Sequence, residues 1–145
     1  MTYENKSNDK NNFSLHDCRA ESAKWEDNEL TFYFPSGIFF REYGEDWSNT
    51  GSAAVKFEVD FLREADFFLF AKSGEQVMRE EYSIDMLAEK INSKEWELEF
   101  AYRYDGYEEI LYTCRVWFDK EPYCYEAQLF IGAKNEVTFM WNKPE

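Results

Sequence analysis

The feature that most restricts this chain is a two-residue rhythm of apolar side chains. In "AVKFEVDF", Val55, Phe57, Val59 and Phe61 alternate with Lys56, Glu58 and Asp60. In "EWELEFAYRY", Trp96, Leu98, Phe100 and Tyr102 alternate with Glu95, Glu97 and Glu99. Successive side chains of an extended strand point to opposite faces, so the rhythm predicts strands with one buried side. Strands are predicted over 18–25, 30–34, 37–42, 53–62, 67–72, 76–82, 95–103, 107–118, 123–131 and 136–142, mostly joined by short polar turns. One segment has a different period. Ile84, Leu87, Ala88 and Ile91 are spaced i, i+3, i+4, i+7, Ser83 is a good N-cap, and Asp85 suits the first turn. A helix is predicted over 84–93. The expected fold class is α+β, dominated by antiparallel sheet, with one helix between two strand-rich halves.

The C-terminal half allows a register prediction. A loop at Tyr104-Asp105-Gly106 pairs Tyr102 with Glu108, Phe100 with Ile110, Leu98 with Tyr112 and Trp96 with Cys114. A loop at Lys120-Glu121 pairs Phe118 with Tyr123, Val116 with Tyr125, Cys114 with Ala127 and Tyr112 with Leu129. Both turns gather apolar residues on one face, which is what specifies a register. Adding 136–142, with Val137, Phe139 and Trp141 on the same side, predicts a four-stranded meander over 95–142 with one aromatic face. "NELTFYF" (28–34) also resembles "NEVTFMW" (135–141). Convergence on good strand chemistry accounts for the likeness.

With 145 residues the chain is long enough for one self-supporting core, expected over 13–145. Aromatic residues make up 20%, too many for a disordered chain. The polar opening, residues 1–12, is expected to be a mobile tail. It has no apolar stretch of the signal-peptide kind, and no run is long enough for a membrane helix. Three cysteines, Cys18, Cys114 and Cys124, with no C-x-x-C pair do not make a disulfide framework, so a cytoplasmic location is expected. The formal net charge of −14 disfavours nucleic acid and anionic membranes and favours a basic protein partner.

Candidate chemistry is sparse. "FSLHDCR" (13–19) holds the one histidine. On a strand, His16 and Cys18 share a face with β-carbons about 6–7 Å apart, while Asp17 and Arg19 take the other. No strand-to-helix elbow or oxyanion donor accompanies them. The favoured reading puts Cys18 in the core, with His16 or Asp17 capping a turn. His16, Asp17, Cys18 and Arg19 remain a minority site. A metal is not expected, because the predicted pairing puts Cys114 and Cys124 on opposite faces and none of the usual ligand spacings occurs. The carboxylates Glu95, Glu97, Glu99 and Glu126 are expected in a cross-strand ladder with Arg115. No phosphate-cradling, dinucleotide or nucleophile-elbow motif is present, and no cofactor is expected. The expected outer face of the meander is more informative. It mixes Leu111, Trp117, Phe130 and Met140 with Glu97, Glu99 and Glu126, and such a surface is either covered by the chain or meets a partner.

"FSLHDCRAESAKWEDNELTFYF" resembles the start of small bacterial proteins of uncharacterised or immunity type. The shared pattern is an aromatic residue, His-Asp (here His16 and Asp17), a small residue, a charged residue and then a hairpin ending like "LTFYF". Cys18 departs from it, since a small apolar residue is usual there. The resemblance covers about the first quarter of the ordered chain. It implies an antitoxin-like cytoplasmic immunity protein that binds and neutralises a toxin, without catalysis and with no assigned role for His16. The leading expectation is therefore a non-catalytic acidic module that binds a basic partner. The alternatives are a small-molecule binder with an aromatic-lined cavity and an enzyme using His16 and Cys18.

Overall fold

The structure is a computed structural model and describes residues 3–7, 11–60 and 64–144. In chain order the strands are β1 (Tyr3–Ser7), β2 (Phe13–Ser14), β3 (Arg19–Ala20), β4 (Ser22–Glu26), β5 (Glu29–Phe34), β6 (Phe39–Phe40) and β7 (Ser48–Asn49). They continue as β8 (Ala53–Val59), β9 (Ala65–Ser73), β10 (Gln76–Tyr82), β11 (Glu97–Gly106), β12 (Glu109–Trp117), β13 (Cys124–Ile131) and β14 (Ala133–Trp141). A single helix, α1 (Ile84–Asn92), falls between β10 and β11. The fold is α+β and mostly antiparallel sheet, as the rhythm requires.

The strands form a five-stranded sheet, β1-β14-β8-β5-β4, a six-stranded sheet, β10-β9-β13-β12-β11-β3, and a small sheet, β2-β6-β7. Two bent segments pass between the larger sheets: β3 runs into β4 through Glu21, and β13 runs into β14 through Gly132. Sheet corners are commonly made by strands that switch sheets in this way. Pairing runs from β4 through β5 and β8 to β14, the chain crosses through Gly132 to β13, and pairing continues through β12 and β11 to β3, which runs on into β4, so the two sheets enclose one interior. That interior is aromatic. Phe32 meets Phe100 at 5.1 Å, Phe57 meets Tyr112 at 6.0 Å and Phe100 meets Tyr112 at 5.0 Å, all edge to face. Aromatic pairs favour this geometry over a direct face-to-face stack.

Helix α1 closes one side. Ser83 Oγ accepts from Met86 N at 3.2 Å, and Ile84, Leu87, Ala88 and Ile91 enter the core. Its last residue then treats β4 as a neighbouring strand would. Ala23 N donates to Asn92 Oδ1 and Asn92 Nδ2 donates to Ala23 O, both at 2.8 Å. The small sheet caps one end, where Phe13 stacks on Phe139 at 4.2 Å. The turn leading to it needs Gly37, whose φ is +86° and where a β-carbon would sit 2.3 Å from Thr50 O.

Several expectations are corrected. The four-stranded meander stops at β13, and β14 crosses to the other sheet to pair with β8 and β1. Val137 and Phe139 still face the same core, from the opposite side. The alternation records burial but not which sheet a strand joins, so it read the same either way. The first hairpin turns at Tyr107-Glu108, not Tyr104–Gly106, with Glu108 at φ +53° and Gly106 opposite Glu109. Leu98 faces Val116, Phe100 faces Cys114, and the register shifts between Phe100 and Arg103. Up to Phe100 the pairing is displaced by four residues, an even number that keeps Leu98 and Phe100 inward; past the register shift the displacement is five, and Tyr102, expected inward, is exposed. The second hairpin has the predicted register: Val116 faces Tyr125, Cys114 faces Ala127 and Tyr112 faces Leu129.

Residues 3–7 of the expected mobile tail form strand β1, with Tyr3 stacked on Trp141 at 5.5 Å. Residues 1–2 and 8–10 of that segment lie outside the described residues, as do residues 61–62 of the strand predicted over 53–62. The strand predicted over 37–42 shortens to Phe39–Phe40.

Candidate interaction face

The register of the six-stranded sheet determines what its outer face displays. One row across it reads Arg19, Glu99, Arg115, Glu126, Phe70, Arg79. The row on one side of it carries Glu97, Trp117 and Cys124. On its other side lie Thr113, Gln128, Phe68 and Glu81, and then Tyr104, Leu111, Phe130 and Asp66. Leu111, Phe130, Phe68, Phe70 and Trp117 are all partly exposed. Phe68 and Phe130 meet edge to face at 5.9 Å, and the Arg79 guanidinium lies 4.7 Å over Phe68. The result is an apolar band beside a charge ladder. Helix α1 does not cover it, because its apolar side is used on the inner core.

Glu99 anchors the charged side. It is 8% exposed, which is unusual for a carboxylate. Arg19 Nε and Arg115 Nη1 each lie 3.5 Å from it, and Trp117 Nε1 donates to it at 3.4 Å. Arg19 also reaches Glu97 at 3.4 Å and lies 4.5 Å over the Trp117 ring. Arg115 was expected opposite Glu95; the displaced hairpin puts it opposite Glu99, while its partner on β13 is Glu126 as expected.

Of the residues singled out as a partner surface, Glu97, Glu99, Leu111, Trp117, Glu126 and Phe130 share this face. Met140 does not. It lies on β14 in the other sheet, beside a polar groove of about 360 Å³ with Lys24, Thr31, Tyr33 and Lys56. The sequence reading missed Phe68, Phe70, Arg79 and Tyr104. The available signal was "FFLF" (67–70), a continuous apolar run, which marks a strand that is apolar on both sides.

The middle of "FSLHDCR", Leu15–Cys18, forms a turn between β2 and β3 and not a strand. Cys18 N donates to Leu15 O at 2.9 Å, and Asp17 has φ +63°. His16 and Cys18 therefore do not share a strand face. His16 Nδ1 donates to Ala101 O at 2.9 Å, its ring lies 4.9 Å from Tyr102, and its Nε2 is 3.4 Å from Asp17 Oδ2. The contact pins β11 where its register shifts, and a groove of about 260 Å³ opens there between Tyr102, Thr113, Arg115, Glu126 and Phe70. Cys18 is buried, and its Sγ lies near the carbonyls of His16 (3.6 Å) and Ser14 (4.0 Å). Burial pushes its thiol up to about 12. Burial also raises the Cys114 and Cys124 thiols, and all three cysteines are free. Among the described residues, no group of three or more His, Cys, Asp or Glu side chains is placed to hold a metal ion.

Fold and face together define a mostly antiparallel α+β protein with a partly exposed, mixed aromatic and charged sheet face. No family model, curated protein or solved structure matches the chain. Among the described residues, no helix is long and apolar enough to cross a membrane.

Proposed function

We propose that this chain is a non-catalytic protein-binding module of the immunity type, which holds a basic partner such as a toxin against the outer face of its six-stranded sheet. The observation that carries this reading is the partly exposed band Leu111–Phe130–Phe68, with Trp117 on its Glu99 anchor across the charge ladder. Partly exposed apolar side chains within a charged frame are the composition of a protein-binding patch. The net charge of −14 supplies attraction for a basic partner and speeds the encounter. The free cysteines fit a reducing cytoplasm.

Two observations weigh against the alternatives. The rings that would line a ligand cavity pack against one another, Phe32 and Phe100 at 5.1 Å and Phe57 and Tyr112 at 6.0 Å. The imidazole and thiol of a His16–Cys18 pair are each engaged with backbone carbonyls. The test is capture of partners from the source cell by the tagged chain at low salt. A basic protein is expected, released as salt rises and lost with Phe130→Asp. Capture that ignores both salt and Phe130→Asp contradicts the reading.

A further inference from the structure

The two larger sheets treat their edges differently. On the β4 edge the Asn92 amide occupies the N–H and C=O of Ala23, and β3, at one end of the six-stranded sheet, is two residues long and runs on into β4. At the opposite end, β10 is seven residues long, contains no proline, glycine or register shift, and pairs only with β9 among the described residues. Val77 and Met78 on it are 60% and 59% exposed. A long open edge is a template for another strand, and proteins normally blunt it.

The hairpin geometry tells which backbone groups are free. Ser73 faces Gln76 across a two-residue Gly74-Glu75 turn, with Gly74 at φ +62°. In such a hairpin the closing pair exchanges both hydrogen bonds and the next pair does not. Gln76, Met78, Glu80 and Tyr82 therefore bond to β9. Val77, Arg79 and Glu81 direct their N–H and C=O groups away from it. Their side chains lie opposite Lys72, Phe70 and Phe68, on the face that carries the apolar band.

Charge selects the occupant. Arg79 is drawn over the Phe68 ring, and the exposed charges of the β9–β10 hairpin are Glu75, Glu80 and Glu81 against Lys72 and Arg79, an acidic balance. A two-fold axis at Arg79 or Glu80 would set like charges of two copies directly opposite, and one at Met78, which avoids that clash, would still bring together two chains of net charge −14. Like charges placed directly opposite are destabilising.

We infer that β10 receives an extended, lysine- or arginine-bearing segment of a partner protein as a seventh strand, hydrogen-bonded to Val77, Arg79 and Glu81. This rests on the binding function proposed above and specifies how the partner is held. Backbone bonds supply affinity in this mode, and alternate side chains of the added strand supply specificity.

The test uses the full chain and a labelled octapeptide of alternating lysine and valine. Fluorescence anisotropy is expected to show binding that weakens at least tenfold with Val77→Pro, a substitution that removes an outward N–H and leaves the β9 bonds intact. A peptide N-methylated at alternate backbone positions keeps its charge and is expected to bind at least tenfold more weakly. Amide exchange at Val77, Arg79 and Glu81 is expected to slow when the unmethylated peptide binds; this readout stands even if the proline variant folds poorly. Equal binding of the methylated peptide, or unchanged exchange at those amides, overturns the inference. A dimer of the free chain that Val77→Pro dissolves overturns it in favour of a second copy. Retention of the captured cellular partner by Val77→Pro but not by Phe130→Asp removes the edge mode and leaves the face standing. Retention by both variants removes the proposed function itself.

Discussion

Gly37 and Cys18 show how much single positions control here. Gly37 at φ +86° lies against the Thr50 backbone, so a β-carbon there meets both a forbidden conformation and a 2.3 Å clash. Gly37→Ala is expected to cost about 1–3 kcal/mol from backbone strain alone, read as a lowered denaturation midpoint. The cysteines make a chemical prediction. With the Cys18 thiol raised to about 12 by burial, almost none of it is thiolate at pH 8. Alkylation of the native protein at pH 8 should therefore leave Cys18 and Cys114 unmodified, with Cys124 reacting first, as read by mass spectrometry. The same shift links stability to pH. The native state keeps its proton where the unfolded thiol, near 9, has lost it, so Cys18 contributes stability below about pH 9 that is lost as pH rises towards about 12. Cys18→Ala should flatten that alkaline decline in chemical denaturation. The residue types of "FSLHDCR" were legible in the sequence, but their geometry was not. The positive φ at Asp17 turns the chain and separates His16 from Cys18, and no side-chain pattern announces it.

Among the elements, α1 and the bent strands matter most. Asn92→Ala leaves both polar groups of buried Ala23 without their partner, at about 1–3 kcal/mol per unsatisfied group. The expected result is a lowered thermal midpoint and faster amide exchange along β4. Asn92→Asp should restore only the acceptor, which separates lost hydrogen bonds from lost volume. Strand and helix positions were largely readable, because apolar alternation and the Ser83–Ile91 pattern each follow from which side is buried. Strand partners were less so. The β12–β13 register was recovered, whereas the β11–β12 register was displaced by four residues up to Phe100, a shift that preserves inward and outward faces, and by five beyond the register shift. β14 was assigned to the wrong sheet for a related reason. The chain changes sheets at Gly132, yet Leu129 and Ile131 before it and Ala133, Val137 and Phe139 after it all face the core. The similar segments 28–34 and 135–141 do occupy similar places: β5 and β14 flank β8 on its two sides.

For the whole molecule, charge and exposed surface act together. Most of the proposed partner surface was visible as an alternation out of phase with the core, in Leu111, Trp117 and Phe130. The part supplied by Phe68, Phe70 and Arg79 depends on β9 joining β13, a pairing distant in sequence that local patterns do not specify. The ladder of Arg19, Glu99, Arg115 and Glu126 makes this face less acidic than the molecule as a whole. On the proposed reading, overall charge would govern approach to the partner and the apolar band its retention. Salt should slow association with a basic partner much more than it speeds dissociation. The central claim, that the outer face is where the partner sits, is tested most directly by quantitative capture from the source cell with wild type and the Leu111→Asp/Phe130→Asp double variant. Cross-links would map the contact, and equal thermal midpoints would establish that both proteins are folded. The account predicts a basic protein cross-linked beside Leu111, Phe130 and Phe68 in wild type and reduced at least tenfold in the variant. Equal recovery from both proteins, or cross-links confined to the five-stranded sheet, would contradict it.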